Sequence, residues 1–499
     1  MKGDFSTIRY DRSKHFNRVL KQQGRVELDS DWNEQTAILQ HLIRTVVRDL
    51  VGPSAGPQAD CGFGLGDWES SGQKPKQHDF LINPGRYYVD GLLVENEAAV
   101  SYSAQPHLPD AALLDTGKTY LAYLDVWERH VTVLEDHSLQ EVALGGPDTC
   151  TRVQTAWAVR TVLTDSPPTA ASERELKAAE AKLADIRAQL DGELTTPQRA
   201  KLEKTAAQLE AKIQELAAQI GGGQSPQPAP DVSDDPCELL LAPIRGWTSG
   251  TMAARLPDET PADSPCVLPI ASRYRGLENH LYRIEVHAGG DTGDADAVPT
   301  FKWSRENGSI ATGFISVKGA DLKVANARGF SAGAWVEVST ETDELLGRPG
   351  QLRRVARVEG DVLTLDETVS LPKAAINPIV RRWDQTASET QPLMDGALPI
   401  VAGAGEQGWI ALEDGIEVQF SGGPYRAGDH WWITARVATG EIDWPRDTSG
   451  QPQAVQPHGV EHHYAPLYTL TATETAPFIS LVKDCRCRFA RLPCIADRT

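Results

Sequence analysis

Apolar positions along the chain change period several times, and each change marks a different kind of element. Ile38, Leu39, Leu42, Val46, Val47 and Leu50 follow at helical spacing, with Asp31 and Glu34 at capping-box spacing just ahead of them. Gly52-Pro53 supplies the stop, and Arg44 and Arg48 suit the negative end of the helix dipole. The pattern predicts one amphipathic helix beginning at Asp31, with an apolar stripe that must pack on something. From about Cys61 to Leu163 the signals become those of strands: Tyr87-Tyr88-Val89, Leu92-Leu93-Val94, Tyr120 to Trp127, Val131-Thr132-Val133 and Trp157 to Val162 are rich in β-branched and aromatic residues. Asp90-Gly91 between the first two of these predicts a tight hairpin, and the whole stretch a sandwich or barrel-like domain.

After the Asp165-Ser166-Pro167-Pro168-Thr169 break the period returns to that of a helix. Leu176, Ala179, Leu183, Ile186 and Leu190 alternate steps of three and four, as do Leu202, Ala206, Leu209, Ile213, Leu216 and Ile220. Asp191-Gly192 breaks the first run, and Thr196-Pro197 opens the second with an N-cap and a first-turn proline. Residues 171–220 therefore predict an antiparallel helical hairpin inserted into a β protein, returning through Gly221-Gly222-Gly223 and a Pro-rich run.

Strand signals then resume at Tyr282 to Val286, Phe301-Lys302-Trp303 and Ile310 to Val317. Short, regularly spaced strands at Leu322-Lys323-Val324, Trp335 to Val338, Leu352 to Val358 and Val362 to Leu365 predict a self-contained barrel over 316–370. Gly415 to Phe420, Trp431 to Val437 and Leu467 to Thr471 are the clearest strands of a last unit. The fold class expected is mainly β and multidomain, with sandwich and small-barrel units, an N-terminal amphipathic helix and an inserted antiparallel helical hairpin. Its expected parts are an arm and docking helix (1–60), a β-domain (61–165), the hairpin with its linkers (166–232), a β-domain split between 233–315 and 371–395, the inserted barrel (316–370) and a C-terminal β-domain (396–499).

Composition agrees with several packed units, since 499 residues exceed what one hydrophobic core supports. No apolar run reaches the ~20 residues of a bilayer span, so no membrane span is expected. The opening Met1-Lys2-Gly3-Asp4-Phe5-Ser6 lacks the apolar core of a secretory signal, which implies synthesis in the cytoplasm and export, if any, by another route. A formal charge of −20 argues against nucleic acid as a partner. Seven cysteines are neither dense nor even in number and predict free thiols in a reducing compartment.

Several motifs carry a resemblance. Gln22-Gln23-Gly24-Arg25-Val26-Glu27-Leu28-Asp29-Ser30-Asp31-Trp32-Asn33-Glu34-Gln35 resembles the opening of an uncharacterised bacterial family associated with contractile injection systems and phage-tail-like particles. Leu124 to Arg129, Tyr274 to Arg283, Phe301 to Ser309, Arg381 to Asp384, Gly428 to Trp432 and His462 to Leu467 extend it over nearly the whole chain, the hairpin excepted. Ile82 to Gly91 looks like a motif of baseplate and tail-fibre proteins. The resemblance implies a particle-associated role and brings no catalytic residue with it.

Candidate chemistry is sparse. Cys485, Cys487 and Cys494 are the best metal or redox candidates, able to share zinc with Cys237, Cys266 or a histidine, yet no Cys-x-x-Cys pair is present. His458, His462 and His463 lie close, but a strand would put the last two on opposite faces. Glu306 and Asp384 beside Trp303 and Trp383 suggest an aromatic-walled sugar site with two acids, or acids neutralised by Arg305 or Arg382. Twelve tryptophans fill β cores more often than they stack on glycans, and no phosphate loop, nucleophile elbow or dinucleotide fingerprint falls at a strand-to-helix junction.

The expectation is thus a non-enzymatic structural or attachment component without cofactor, such as a baseplate accessory, adaptor or fibre-like protein. It docks on other particle proteins or on sister chains through Trp32, Ile38, Leu42 and Val46. Loaded cargo and a carbohydrate-binding or carbohydrate-active protein are the alternatives.

Overall fold

A computed structural model describes residues 1–68, 74, 76–109, 111–144, 148–164, 236–245, 249–257, 273–292, 298–388, 391–403, 405, 408–475 and 478–490. The chain is mostly β, as its strand signals predict. The hairpin expected at 171–220 lies outside the described residues.

Among the described residues, most strands fall into two sandwiches and a barrel. In the first sandwich one sheet has the order Arg488–Phe489, Ser54–Pro57, Gly85–Val89, Leu92–Asn96, and a second has Ile479–Asp484, His462–Ala472, Thr119–Val131, Arg152–Leu163. Thr119–Val131 is buried along almost its whole length: strands pair on both its sides, and both faces of the sheet are covered there. Its inward residues Tyr120, Ala122, Leu124 and Val126 join Tyr87, Val94, Trp157 and Leu470 in one core. The Asp90-Gly91 turn forms between Gly85–Val89 and Leu92–Asn96 as expected, with φ of 48° and 84° at its two residues.

The second sandwich packs a five-stranded sheet, in the order Leu398–Pro399, Thr300–Ser304, His280–Ala288, His430–Arg436, Glu441–Asp443, on a three-stranded one of Ile410–Ala411, Glu417–Ser421 and Thr251–Arg255. The stretch 396–499 is therefore not a domain of its own. Its strands are shared out, two pairing with Thr251–Arg255 and His280–Ala288 and a third with Thr119–Val131, because ladder partners are chosen over long range.

The barrel is closed in the order Ala311–Lys318, Asp321–Val324, Val362–Leu365, Gln351–Glu359, Trp335–Ser339, Ile379–Trp383. It is thus wider in sequence than 316–370. Ile379–Trp383 is the closing strand, bonded to both Ala311–Lys318 and Trp335–Ser339, and without it two open edges would remain.

Among the described residues, two helices rest on the first sandwich. Helix α1 runs from Asp29 to Val51. It starts two residues earlier than Asp31, which stands inside the first turn and accepts from the Leu28 amide, while Asp29 accepts from the amide and hydroxyl of Ser6. Gly52 ends it as predicted, its amide bonding the Arg48 carbonyl. Helix α2, Pro236–Arg245, lies in sequence read only as β; its apolar positions Cys237, Leu241 and Ile244 repeat too briefly to announce a helix. Among the described residues no helix is long and apolar enough to cross a membrane.

Candidate functional site

The polar residues singled out in the sequence turn inward, to one another. Arg382 binds Glu306 and also holds Asp384 at 3.3 Å, while Arg305 donates its amide to Asp384 at 3.0 Å and its guanidinium to Glu413 at 2.8 Å. Trp303 and Trp383 are both buried. Glu306 and Asp384 therefore face arginines, and their tryptophans serve the interior instead of forming an open aromatic wall.

The histidines separate as alternation demands. His462 Nδ1 meets Asp125 at 2.6 Å, His463 Nδ1 meets Asp90 at 3.0 Å, and His458 stacks on Trp432. Arg160 takes the other Asp125 oxygen at 2.7 Å, so His462, Asp125 and Arg160 staple three neighbouring strands. This staple borders a cleft of about 1120 Å3 where the two sandwiches, the barrel and α2 come together.

Cys485 corrects the expectation of free thiols. It forms a disulfide with Cys237, 248 residues away, with both sulfurs buried beneath α2. Folding brings together two cysteines that sequence distance keeps apart, and a thiolate metal site on Cys485 is thereby overturned. Cys487 is exposed, and Cys494 and Cys266 lie outside the described residues. Among the described residues no three His, Cys, Asp or Glu side chains stand together to hold a metal.

A denser set of charges lies between the second sandwich and the barrel. Lys302 Nζ reaches Glu337 at 2.5 Å and Glu285 at 3.3 Å, Arg283 binds Glu285 at 2.5 Å, and Trp383 Nε1 donates to Glu337 at 2.9 Å. Burial pushes the Glu285 carboxyl up, but Lys2, Arg283 and Lys302 outweigh it and hold the group well below the usual range. Glu337 is likewise held far down, against its burial, by Lys302 and His287. Nearby, burial keeps His430 neutral and lowers His130 to about 3. Arg283, Glu285, Lys302 and Glu337, all buried, thus tie the second sandwich to the barrel; sequence reasoning missed them because the set draws on three strands far apart in the chain.

Among the described residues, α1 carries a long series of exposed apolar side chains. Of the four residues expected to bind partners, Trp32, Leu42 and Val46 are exposed, at 69%, 58% and 47%, whereas Ile38 is 5% exposed and faces the protein's own body. Ile38 belongs to the other side of the helix, which periodicity alone does not orient. Leu39, Ile43 and Leu50, absent from the expected set, are exposed as well, Leu50 at 80%. Phe16, Leu20 and Val26 of the preceding arm add further exposed apolar surface.

What holds α1 is mostly polar. Arg44 binds Glu128 at 2.6 Å, Arg48 lies 3.6 Å from Asp90, and Gln35 accepts from the Val19 amide. Asp90 is the first residue of the hairpin turn, and its partner Gly91 sits so close that a Cβ there would stand 2.2 Å from the Arg44 carbonyl oxygen. Burial raises the Asp90 carboxyl, and His463 and Arg48 more than reverse this. An amphipathic helix normally turns its apolar stripe to the core; here the stripe faces solvent, and contiguous exposed apolar surface of this extent marks an interaction site.

Comparison with known proteins adds a family. The model of a family of unknown function (DUF6519) matches residues 1–498. No curated protein matches. A solved structure titled "Crystal structure of TssK" aligns at 10% identity over 81% of this chain and 99% of that one, with a TM-score of 0.17, too low for the two backbones to superpose as a whole.

Proposed function

The chain belongs to that family of unknown function, and from this premise we propose that it is a structural or attachment component, an adaptor or baseplate accessory, of a contractile injection system or phage-tail-like particle. It works by docking, without catalytic turnover, and resides with the particle. The observation that carries this is the outward apolar face of α1, whose contacts to the body include the Arg44–Glu128 and Arg48–Asp90 ion pairs and the buried Ile38. The motif from Gln22 to Gln35, whose second half forms the first turns of α1, points the same way through its resemblance.

Purified particles provide the test. The protein should co-sediment with intact particles at fixed stoichiometry, and L39D/I43D, with an unchanged circular dichroism spectrum, should be lost from them. Absence of the wild-type chain from particles, or release of it with tube contents as cargo, would overturn the assignment. So would glycan turnover abolished by Glu306→Gln.

A further inference from the structure

Trp32, Thr36, Leu39, Ile43, Val46 and Leu50 succeed one another along α1 by steps of four, three, four, three and four. All six are exposed. This is the a/d seam of a coiled coil, with Thr36, Ile43 and Leu50 at a and Trp32, Leu39 and Val46 at d. The residues that face the body, Ile38, Arg44 and Arg48, fall at c, b and f, on the side opposite the seam.

We propose that this seam pairs, parallel and in register, with α1 of a second copy of this chain; the proposal rests on the docking role assigned above and names its partner. Three features select a sister chain. First, the flanks match themselves. In a parallel pair a g residue meets the e residue five positions on in the other helix. That sets Gln35 against Gln40 and Leu42 against Val47, with no two like charges opposed. A seam made for an acidic or basic partner would carry charge on its flanks, and of the six positions Asn33, Gln35, Gln40, Leu42, Val47 and Asp49 only the last is ionic.

Second, the area is adequate. The exposed fractions of Trp32, Leu39, Leu42, Ile43, Val46 and Leu50 leave on the order of 700 Å2 of apolar surface per copy, close to the ~800 Å2 per partner of a standard interface. Third, a two-fold axis running along the seam leaves the bodies on opposite sides of the helix pair, because each body lies behind its own helix.

Light scattering on the purified full chain is the test. The expected mass is twice that of the 54.3 kDa chain, falling to a single chain in L39D/I43D with its circular dichroism unchanged. A Thr36→Cys variant, whose new thiols face each other across an a layer only in the parallel register, should cross-link into a dimer under mild oxidation while the wild type does not. A monomeric wild type at tens of micromolar, a multimer untouched by L39D/I43D, or no Thr36→Cys-dependent cross-link would overturn the pairing. Failure here separates from failure of the particle assignment. A monomer that still needs α1 to enter particles rejects only the sister chain as partner. A multimer that loses its mass in L39D/I43D, yet is absent from particles, supports the pairing and rejects the particle.

Discussion

Helices α1 and α2 rest on the same sandwich in opposite senses. In α2, Cys237, Leu241 and Ile244 face inward onto Leu121, Tyr123 and Val162, and a disulfide to Cys485 fastens the helix down. In α1 the long apolar series faces outward, and ion pairs that are a third or more exposed on at least one partner hold the helix from behind. Such pairs contribute only about 0–1 kcal/mol each. The difference teaches that α2 belongs to the fold, whereas α1 is carried by the fold for use elsewhere.

That contrast can be broken most forcefully at the disulfide. Cys237→Ser, or reduction of the wild type, removes a closure spanning 248 residues and should lower unfolding free energy by roughly 2–5 kcal/mol, read as a lower urea midpoint. An unchanged midpoint would mean that α2 is no more integral than α1. Leu241→Ala, at a fully buried site, should cost about 2–4 kcal/mol in the same assay.

Acid probes the body while sparing the seam, because none of the six seam residues titrates. Glu285 and Glu337 have depressed folded values, so their contribution is complete above the usual glutamate range and fades as pH falls through it. His130 and His430 are also depressed and remain neutral in the fold, so the unfolded chain takes up protons first as pH drops from about 6.5 towards 3. Both effects have the same sign. Stability should decline steadily from pH 7 to pH 4, with self-association unchanged down to pH 6.

Smaller effects sharpen the position of α1. Gly91→Ala forces a Cβ onto the Arg44 carbonyl at a left-handed φ and should cost about 1–3 kcal/mol, expressed as faster proteolysis of α1 while the α2 region stays protected. Leu42→Ser, on the exposed side, should shift stability by less than about 0.5 kcal/mol, measured below the concentration of self-association. A large loss there would show that α1 packs as α2 does.

Local elements were legible from residues alone. The Asp90-Gly91 turn, the Gly52 stop, the opposed faces of His462 and His463 and the short barrel strands each depend on neighbours within a few positions. Pairing across hundreds of residues was not. Ile379–Trp383 lies outside the barrel expected at 316–370, and only closure makes it the barrel's last stave; the strands Glu417–Ser421, His430–Arg436 and His462–Ala472 lie within one expected domain, yet join different sheets.

The sequence by itself determined that residues near 31–51 form an amphipathic helix, since a 3.6-residue period and a glycine stop are local properties of the chain. Tertiary structure alone decided which side of that helix is free. Periodicity defines stripes but not their direction; Glu128, Asp90 and Gly91, placed by a sheet and a hairpin far along the chain, bind the Arg44 and Arg48 side and leave Trp32, Leu39, Ile43, Val46 and Leu50 facing out.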